Sequence, residues 1–336
     1  MKKALFLTLM ASVAFAACTS DESLVPPQEI DFQVAKYLST SRAEGSVYEG
    51  GSFGTYSSGL TTEMNNTEIS KVGDVWKAAS GTYYWPINNG AVNFISYAPY
   101  NAVTFDVDDV DAANGEIEIT DYTVGTDDLM IADYAVDLTS ANYNADKVDD
   151  GTNSYSGVPT LFRHALANIS FQFKNLNTTD FTYTVKSITV HSYKEGDLSL
   201  AATGTASNLM QTWGWPTVWD NPSSYTTTTF TVPTDPVTDD FAGLKSSEAF
   251  VLPQTFVNTG DIQKVVIVVD EKNNVNNTTT PRELTKNFYE ITDHTAWEIN
   301  KKIVYNITFN PTFNLEIHFD PAVAAWDTPT FGFEFN

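Results

Sequence analysis

The sequence predicts an all-β protein built as two tandem β-sandwiches, and three observations predict it. Apolar residues recur at every second position in short runs, the spacing that places them on one face of a half-buried strand. The composition suits strands and turns: 21 Phe and 16 Tyr bring aromatics to 13%, while charged residues reach only 18%. No stretch carries a sustained helical stripe of apolar residues bounded by caps.

The elements follow in chain order. In EIDFQV, Ile30, Phe32 and Val34 share one face of a strand. YYWPI–NNG–AVNFISYAP reads as a hairpin, because Asn89-Gly90 supplies the positive φ that tight turns between strands require. TFDVDDVDAA–NG–EIEITDY reads as a second hairpin, turning at Asn114-Gly115. Further strands are expected at 129–134, 167–173, 183–191, 225–232, 265–269, 304–309, 315–319 and 330–335. The polar stretches YNADKVDDGTNSYSG and DEKNNVNNTTTPRE read as surface loops. The polar break NLNTTD, residues 175–180, divides an expected first sandwich at 43–178 from a second at 179–336.

The N-terminus carries its own signals. Met1-Lys2-Lys3 is basic, and the uncharged run Ala4–Ala17 that follows is shorter than the ~20 residues a membrane-spanning helix needs. It suits the apolar core of a secretory signal, so residues 1–17 are expected to be removed. Phe15-Ala16-Ala17-Cys18 has the form of a bacterial lipobox, with Cys18 as the lipidated residue. The alternative is an ordinary signal peptide with a chance cysteine. Cys18 is the only cysteine, so no internal disulfide forms. Residues 18–42, with Pro26-Pro27, read as a polar tether. The expectation is an outer-membrane lipoprotein exposed at the surface and held to the membrane by its lipid.

Charge and motifs narrow the function. A net charge of −24 and a pI near 4.2 repel phosphate backbones, which excludes nucleic acid as a partner. Gly50-Gly51-Ser52-Phe53-Gly54 matches the serine-hydrolase elbow in letters, but that motif works only between a strand and a helix, and neither is expected around it. His164, His191, His294 and His318 have no metal-ligand spacing, and His164 reads as a packed strand residue. Asp106, Asp108, Asp109 and Asp111 lie close together, yet Val110 and Asp111 stand where an EF-hand needs a ligand and a glycine, so a solvated hairpin is the reading. No cofactor, metal or catalytic set is expected. Trp213, Trp215 and Trp219 form a possible ligand platform, since exposed indoles stack on sugars; the competing reading places them in the core.

The order of several segments resembles the fimbrillin family, also called type V pilins. They are the lipobox at Cys18, Phe32, Ser41-Arg42-Ala43, YYWPINNGAVNFISYAPY, DLMIADYA, LFRHALANISFQFKN and WEINKKIVYNITF, which together span nearly the whole chain. The resemblance implies two transthyretin-like sandwiches, export as a lipoprotein, trimming by an arginine-specific protease, and polymerisation by strand exchange into surface fimbriae that support adhesion. The implied partners are other fimbrial subunits, in a homo- or hetero-polymer, together with surface receptors or glycans. Arginine occurs only at Arg42, Arg163 and Arg282. Arg42, among small polar residues, is the accessible one, so cutting is expected between Arg42 and Ala43. Arg163 falls in an expected strand and Arg282 in an expected loop. Residues 29–38 would then be a plug strand carrying Ile30, Phe32 and Val34. Residues 329–336 present Phe331, Phe333 and Phe335 on one face as a candidate donor strand, or else pair within their own domain. The rival reading is a monomeric surface lipoprotein that binds glycans through its tryptophans; an extracellular hydrolase comes third.

Overall fold

The structure, a computed structural model, describes residues 28–34, 50–73, 75–103, 109–143, 157–203, 210–241, 244–258, 262–291, 294–310 and 318–325. Among them the chain is all-β, and the single helical turn is the 3-10 segment Phe288–Glu290. The signal and tether residues 1–27, Arg42 with Ala43, and the tail 326–336 lie outside the described residues.

Alternation builds the C-terminal half. Strands Ala167–Asn175 and Lys301–Phe309 run parallel to each other, flanked by Ala249–Val251 on one side and His318–Ala325 on the other. Every second residue, such as Ile169, Phe171 and Phe173 or Ile303, Tyr305 and Ile307, points into one core. The facing sheet contributes Tyr183, Val185, Ile188 and Val190, and Val265, Ile267 and Val269. Rings meet across the gap: Tyr183 stacks on Phe309 at 4.7 Å, and Phe171 meets Phe230 edge-on at 5.1 Å. Two sheets over one apolar interior make a sandwich, as the patterning implies.

The stretch DEKNNVNNTTTPRE departs from its reading as a loop. Lys264–Asn273 and Thr278–Asn287 form a long hairpin, with only residues 274–277 left in the turn. Pro281 sits opposite Asp270 in a strand at the sheet margin, where its missing N–H leaves no ladder bond unmade. Arg282 therefore lies in a strand, 3.2 Å from Glu271.

One strand, Phe181–Ala201, crosses between the halves. Its first part lies in the C-terminal core, whereas Leu198 and Leu200 pack in a middle core with Ile95, Tyr97, Ile117 and Ile119 of the first half. The strand changes neighbours between His191 and Glu195: Lys264–Asn273 pairs along residues 181–191, Glu116–Thr123 along 195–201, and Asp220–Phe230 on the opposite edge. Gly196 sits just past this changeover. A Cβ there would stand 3.0 Å from the Asp220 carbonyl oxygen and 3.1 Å from Leu252, so a side chain would have to push a neighbour aside by a few tenths of an ångström. The next residue, Asp197, accepts hydrogen bonds from the Asp121 N–H at 2.8 Å and from the Asn221 side-chain amide at 2.7 Å. The break at 175–180 is a turn between two strands that both serve the C-terminal layers; the change of sheets comes before Ala167. A polar turn inside a sandwich looks the same in sequence as a linker between sandwiches.

Most strands of the first half lie in a ten-stranded sheet, which Met210–Gln211 also joins, while Val110–Asp111 and Glu116–Thr123 lie in the sheet of the crossing strand. Val92–Ala98 is buried on both faces, with Phe94 toward an outer core shared with Phe53, and Ile95 and Tyr97 toward the middle core. Burial on both faces explains its nearly continuous apolar run. The hairpin at Asn114-Gly115 forms: Gly115 has φ 69°, and the Asp111 carboxylate accepts the Ala113 and Asn114 N–H groups at 2.9 and 3.1 Å. The Asn114 side-chain amide, which donates to the same carboxylate at 2.7 Å, and after it these backbone bonds hold the Asp111 carboxyl below the usual range.

His294 lies in the C-terminal core with its Nε2 2.8 Å from the Tyr305 hydroxyl, and burial pushes its pKa down to about 4. A depressed histidine contributes stability that is complete above the unfolded value near 6.5 and is lost as pH falls toward 4, about 3 kcal/mol in all. Urea titrations at pH 7 and pH 4 should therefore show His294→Gln losing about 3 kcal/mol less stability than the wild type over that interval. Equal losses would place the acid sensitivity elsewhere.

Candidate functional site

The segment just before residue 35 is seated inside the first half. The Gln28 carbonyl accepts from the Trp85 N–H at 3.0 Å, and the Ile30 N–H donates to the Tyr83 carbonyl at 2.9 Å, with Glu29 bridged to Tyr84. The Val158 N–H donates to the Asp31 carbonyl at 2.7 Å. Strand Phe32–Val34 then runs parallel to Val158–Thr160, with Val34 opposite Thr160, and Phe32 stands opposite Trp76 on the other side. The segment is thus bordered on both sides.

Ile30 and Phe32 point inward. Ile30 is 2% exposed and Phe32 1%. The Phe32 ring meets Phe53 at 5.7 Å and Phe94 at 5.6 Å, both edge-on, the favoured arrangement for aromatic quadrupoles. Trp85 closes the end of the site against Phe94 and Tyr143. Burial of two such side chains stabilises the seated segment by roughly 3–6 kcal/mol before ordering costs. Burial also raises the Asp31 carboxyl, with Glu29 adding to the shift and Lys77 opposing it, so the seat disfavours that charge.

The expected hairpin YYWPI–NNG–AVNFISYAP does not form, and this seat is the reason. Its turn is present, with the Asn89 N–H bonded to the Pro86 carbonyl at 3.0 Å and Asn89 at φ 55°. Its first arm, however, gives its backbone bonds to Gln28–Ile30, while Val92–Ala98 pairs with Ser52–Ser58, Met130–Ala132 and Tyr134–Leu138. Turn chemistry reports the bend but not which strand each arm finds.

The remaining named residues fall as follows. Trp213 and Trp219 are 3% and 2% exposed, and their indole N–H groups donate to the carbonyls of Ala132 at 2.6 Å and Ala165 at 2.8 Å. Rings held this way offer no face to a sugar; they fill the middle core, where Trp215 also packs. Ser52 begins a strand, and a Cβ on Gly54 would collide with the Tyr97 ring at 2.3 Å, so that glycine serves packing. His164 pairs with Asp128 at 2.6 Å, and Arg163 makes a two-pronged bond to Asp133 at 2.7 and 2.8 Å within strand Phe162–His164. No group of three or more metal-ligating side chains gathers among the described residues. Cys18, Arg42, Ala43, Phe331, Phe333 and Phe335 lie outside the described residues.

A family model described as fimbrillin-like matches residues 40–326. Among solved structures, a fimbrial protein from Bacteroides vulgatus is 14% identical, with 89% of this chain and 99% of that one covered and a TM-score of 0.48. The tip fimbrial protein Mfa3 from Porphyromonas gingivalis, with C-terminal truncation, is 8% identical over 89% and 99% of the two chains, with a TM-score of 0.36. The fimbrial anchor protein Mfa2 from the same organism is 8% identical over 89% and 98%, with a TM-score of 0.33. No curated protein matches the chain.

Replacing Phe32 tests the seat. Phe32→Ala should lower the unfolding free energy by about 3–5 kcal/mol in urea, whereas Tyr84→Ala, at a ring 47% exposed, should cost under about 1 kcal/mol. Equal small losses would mean that the segment is not held by its aromatic contacts.

Proposed function

The chain belongs to the fimbrillin-like family, and on that premise we propose that it is a structural subunit of cell-surface fimbriae that polymerises by strand exchange. One observation carries the reading: the Gln28–Val34 segment is a short insert between Val158–Thr160 on one side and Trp76 with Tyr83–Trp85 on the other, and the chain reaches Arg42 eight residues after it ends. Cutting after Arg42 separates this insert covalently from everything that follows. Its departure would leave an open edge at Val158–Thr160 and an apolar slot floored by Phe53 and Phe94. An edge of that kind takes another strand.

Residues 329–336 are the donor in this reading. Phe331, Phe333 and Phe335 repeat the two-residue spacing of Ile30, Phe32 and Val34, so one face of the incoming strand enters the slot of a neighbouring subunit. Cys18 delivers the precursor to the outer membrane as a lipoprotein and is lost with the insert, leaving a fimbrial subunit that serves adhesion. The two halves act as the two tandem domains of the family, with residues 18–42 as propeptide. The partners are other fimbrial subunits and the surface receptors or glycans that the assembled fimbria meets. The rival of a monomeric glycan binder loses its main support with the burial of Trp213 and Trp219.

An arginine-specific protease added to purified chain should convert it into ladders that resist SDS, and deleting residues 329–336 should abolish them. A trimmed chain that stays monomeric at high concentration would overturn the proposal.

A further inference from the structure

The loop that holds Gln28–Ile30 also walls a cavity, and a second loop, each locked in place, forms the facing wall. The facing loop follows strand Ser52–Ser58. The Glu63 carboxylate accepts from the Ser57 hydroxyl at 2.6 Å and from the Gly59 N–H at 2.8 Å. The Met64 N–H donates back to the Ser57 hydroxyl at 2.8 Å. Gly59 has φ 106°, and a Cβ there would stand 2.3 Å from the Ala91 carbonyl oxygen, so only glycine brings the two loops together. In the first wall, the turn after Pro86 is closed again by the Gly90 N–H, which donates to the Asn88 side chain at 3.1 Å. The Tyr83 hydroxyl lies 3.2 Å from that of Thr67.

The cavity between the walls measures about 630 Å³, within the ~300–1,000 Å³ typical of ligand sites. Its lining contains no charged residue, in a chain whose net charge is −24. Tyr84, 47% exposed, and Ile87, 96% exposed, give it apolar surface, and Thr61, Thr62 and Asn88 give it exposed hydroxyls and an amide.

This combination selects a ligand class. A sugar ring has a face of C–H groups, which suits an exposed phenol ring, and a rim of hydroxyls, which suits threonine and asparagine side chains. An acidic glycan would bring its carboxylate to a cavity without a cation, against the field of an acidic chain. A purely aliphatic ligand would strip water from the hydroxyls and the amide and return no hydrogen bond. Walls that are already pinned lose little freedom when a ligand enters.

We propose that this cavity binds a neutral oligosaccharide, with Tyr84 stacking on a sugar ring and Thr61, Thr62 and Asn88 bonding its hydroxyls. The site rests on the adhesive part of the proposed function and does not need strand exchange. It lies in the first half of the chain, apart from Trp213 and Trp219.

Saturation-transfer NMR on the intact, uncut chain tests this, with lactose, cellotriose, maltotriose and mannotriose as neutral probes and sialyllactose as the acidic counterpart. At least one neutral probe should bind. Tyr84→Ala should weaken that probe by about tenfold or more, while Tyr84→Phe, which keeps the ring, should stay within about threefold of the wild type. Failure of every neutral probe to bind overturns the proposal, and so does binding that Tyr84→Ala leaves unchanged. Sialyllactose binding more tightly than every neutral probe also overturns it, because the cavity would then recognise the acid. The measurement uses neither protease nor polymer, so its failure and a failure of strand exchange are told apart.

Discussion

Everything in this molecule is organised around a single strand, Phe181–Ala201, that belongs to two cores at once. A strand of this kind must satisfy a different neighbour at each end while keeping every second residue buried. The Val185/Ser187 shift re-phases the first partner, the strand passes from Lys264–Asn273 to Glu116–Thr123 between His191 and Glu195, and the shifts between Glu195 and Leu198 re-phase the partners that follow. Gly196 lets the Asp220 backbone come close at that point, and Asp197 holds Asp121 and Asn221, both at positive φ. The handover ties the two halves together by continuous backbone and by a middle core drawn from both. A hinge at this point would expose Leu198, Leu200 and the buried tryptophans, so the two halves stay coupled.

Against that frame, the N-terminal insert is weakly attached. It contributes three residues of formal strand, two fully buried apolar side chains and a few backbone bonds. The crossing strand, by comparison, is 21 residues long and has ladders on both edges. Local stability follows the number of buried apolar contacts and protected backbone bonds. Under the proposed function, the insert would have to leave without dissolving the body, and this difference in attachment supports that reading.

Much of the fold was legible in the sequence, because period-two burial leaves a direct trace. The strands from Ala167, Tyr183, Val265 and Val304 onward, the turn at Asn114-Gly115 and the inward face of Ile30 and Phe32 all rest on local alternation. What was not legible is long-range choice of partner. Tyr84 and Trp85 carry a hairpin pattern yet bond to Glu29 and Gln28, and Pro281 sits in a strand because that strand lies at a margin. The tryptophans at 213 and 219 leave a surface platform and a place in the core both open in one dimension, and the core reading is the one the structure bears out, with the carbonyls of Ala132 and Ala165 accepting their N–H groups. The length of the crossing strand was hidden for the same reason: KEGDLSLA is too polar at its start to announce a strand, and only pairing with Glu116–Thr123 and Asp220–Phe230 makes it one.

The central claim is that the Gln28–Val34 segment is a separable insert in a body held by the crossing strand. The most direct measurement is a urea titration of chain nicked after Arg42, following release of the N-terminal fragment by native mass spectrometry and folding of the body by circular dichroism. The account predicts that the fragment departs at a lower urea concentration than the one at which the body unfolds, leaving a cooperative β transition intact. Release and unfolding at the same concentration would contradict it.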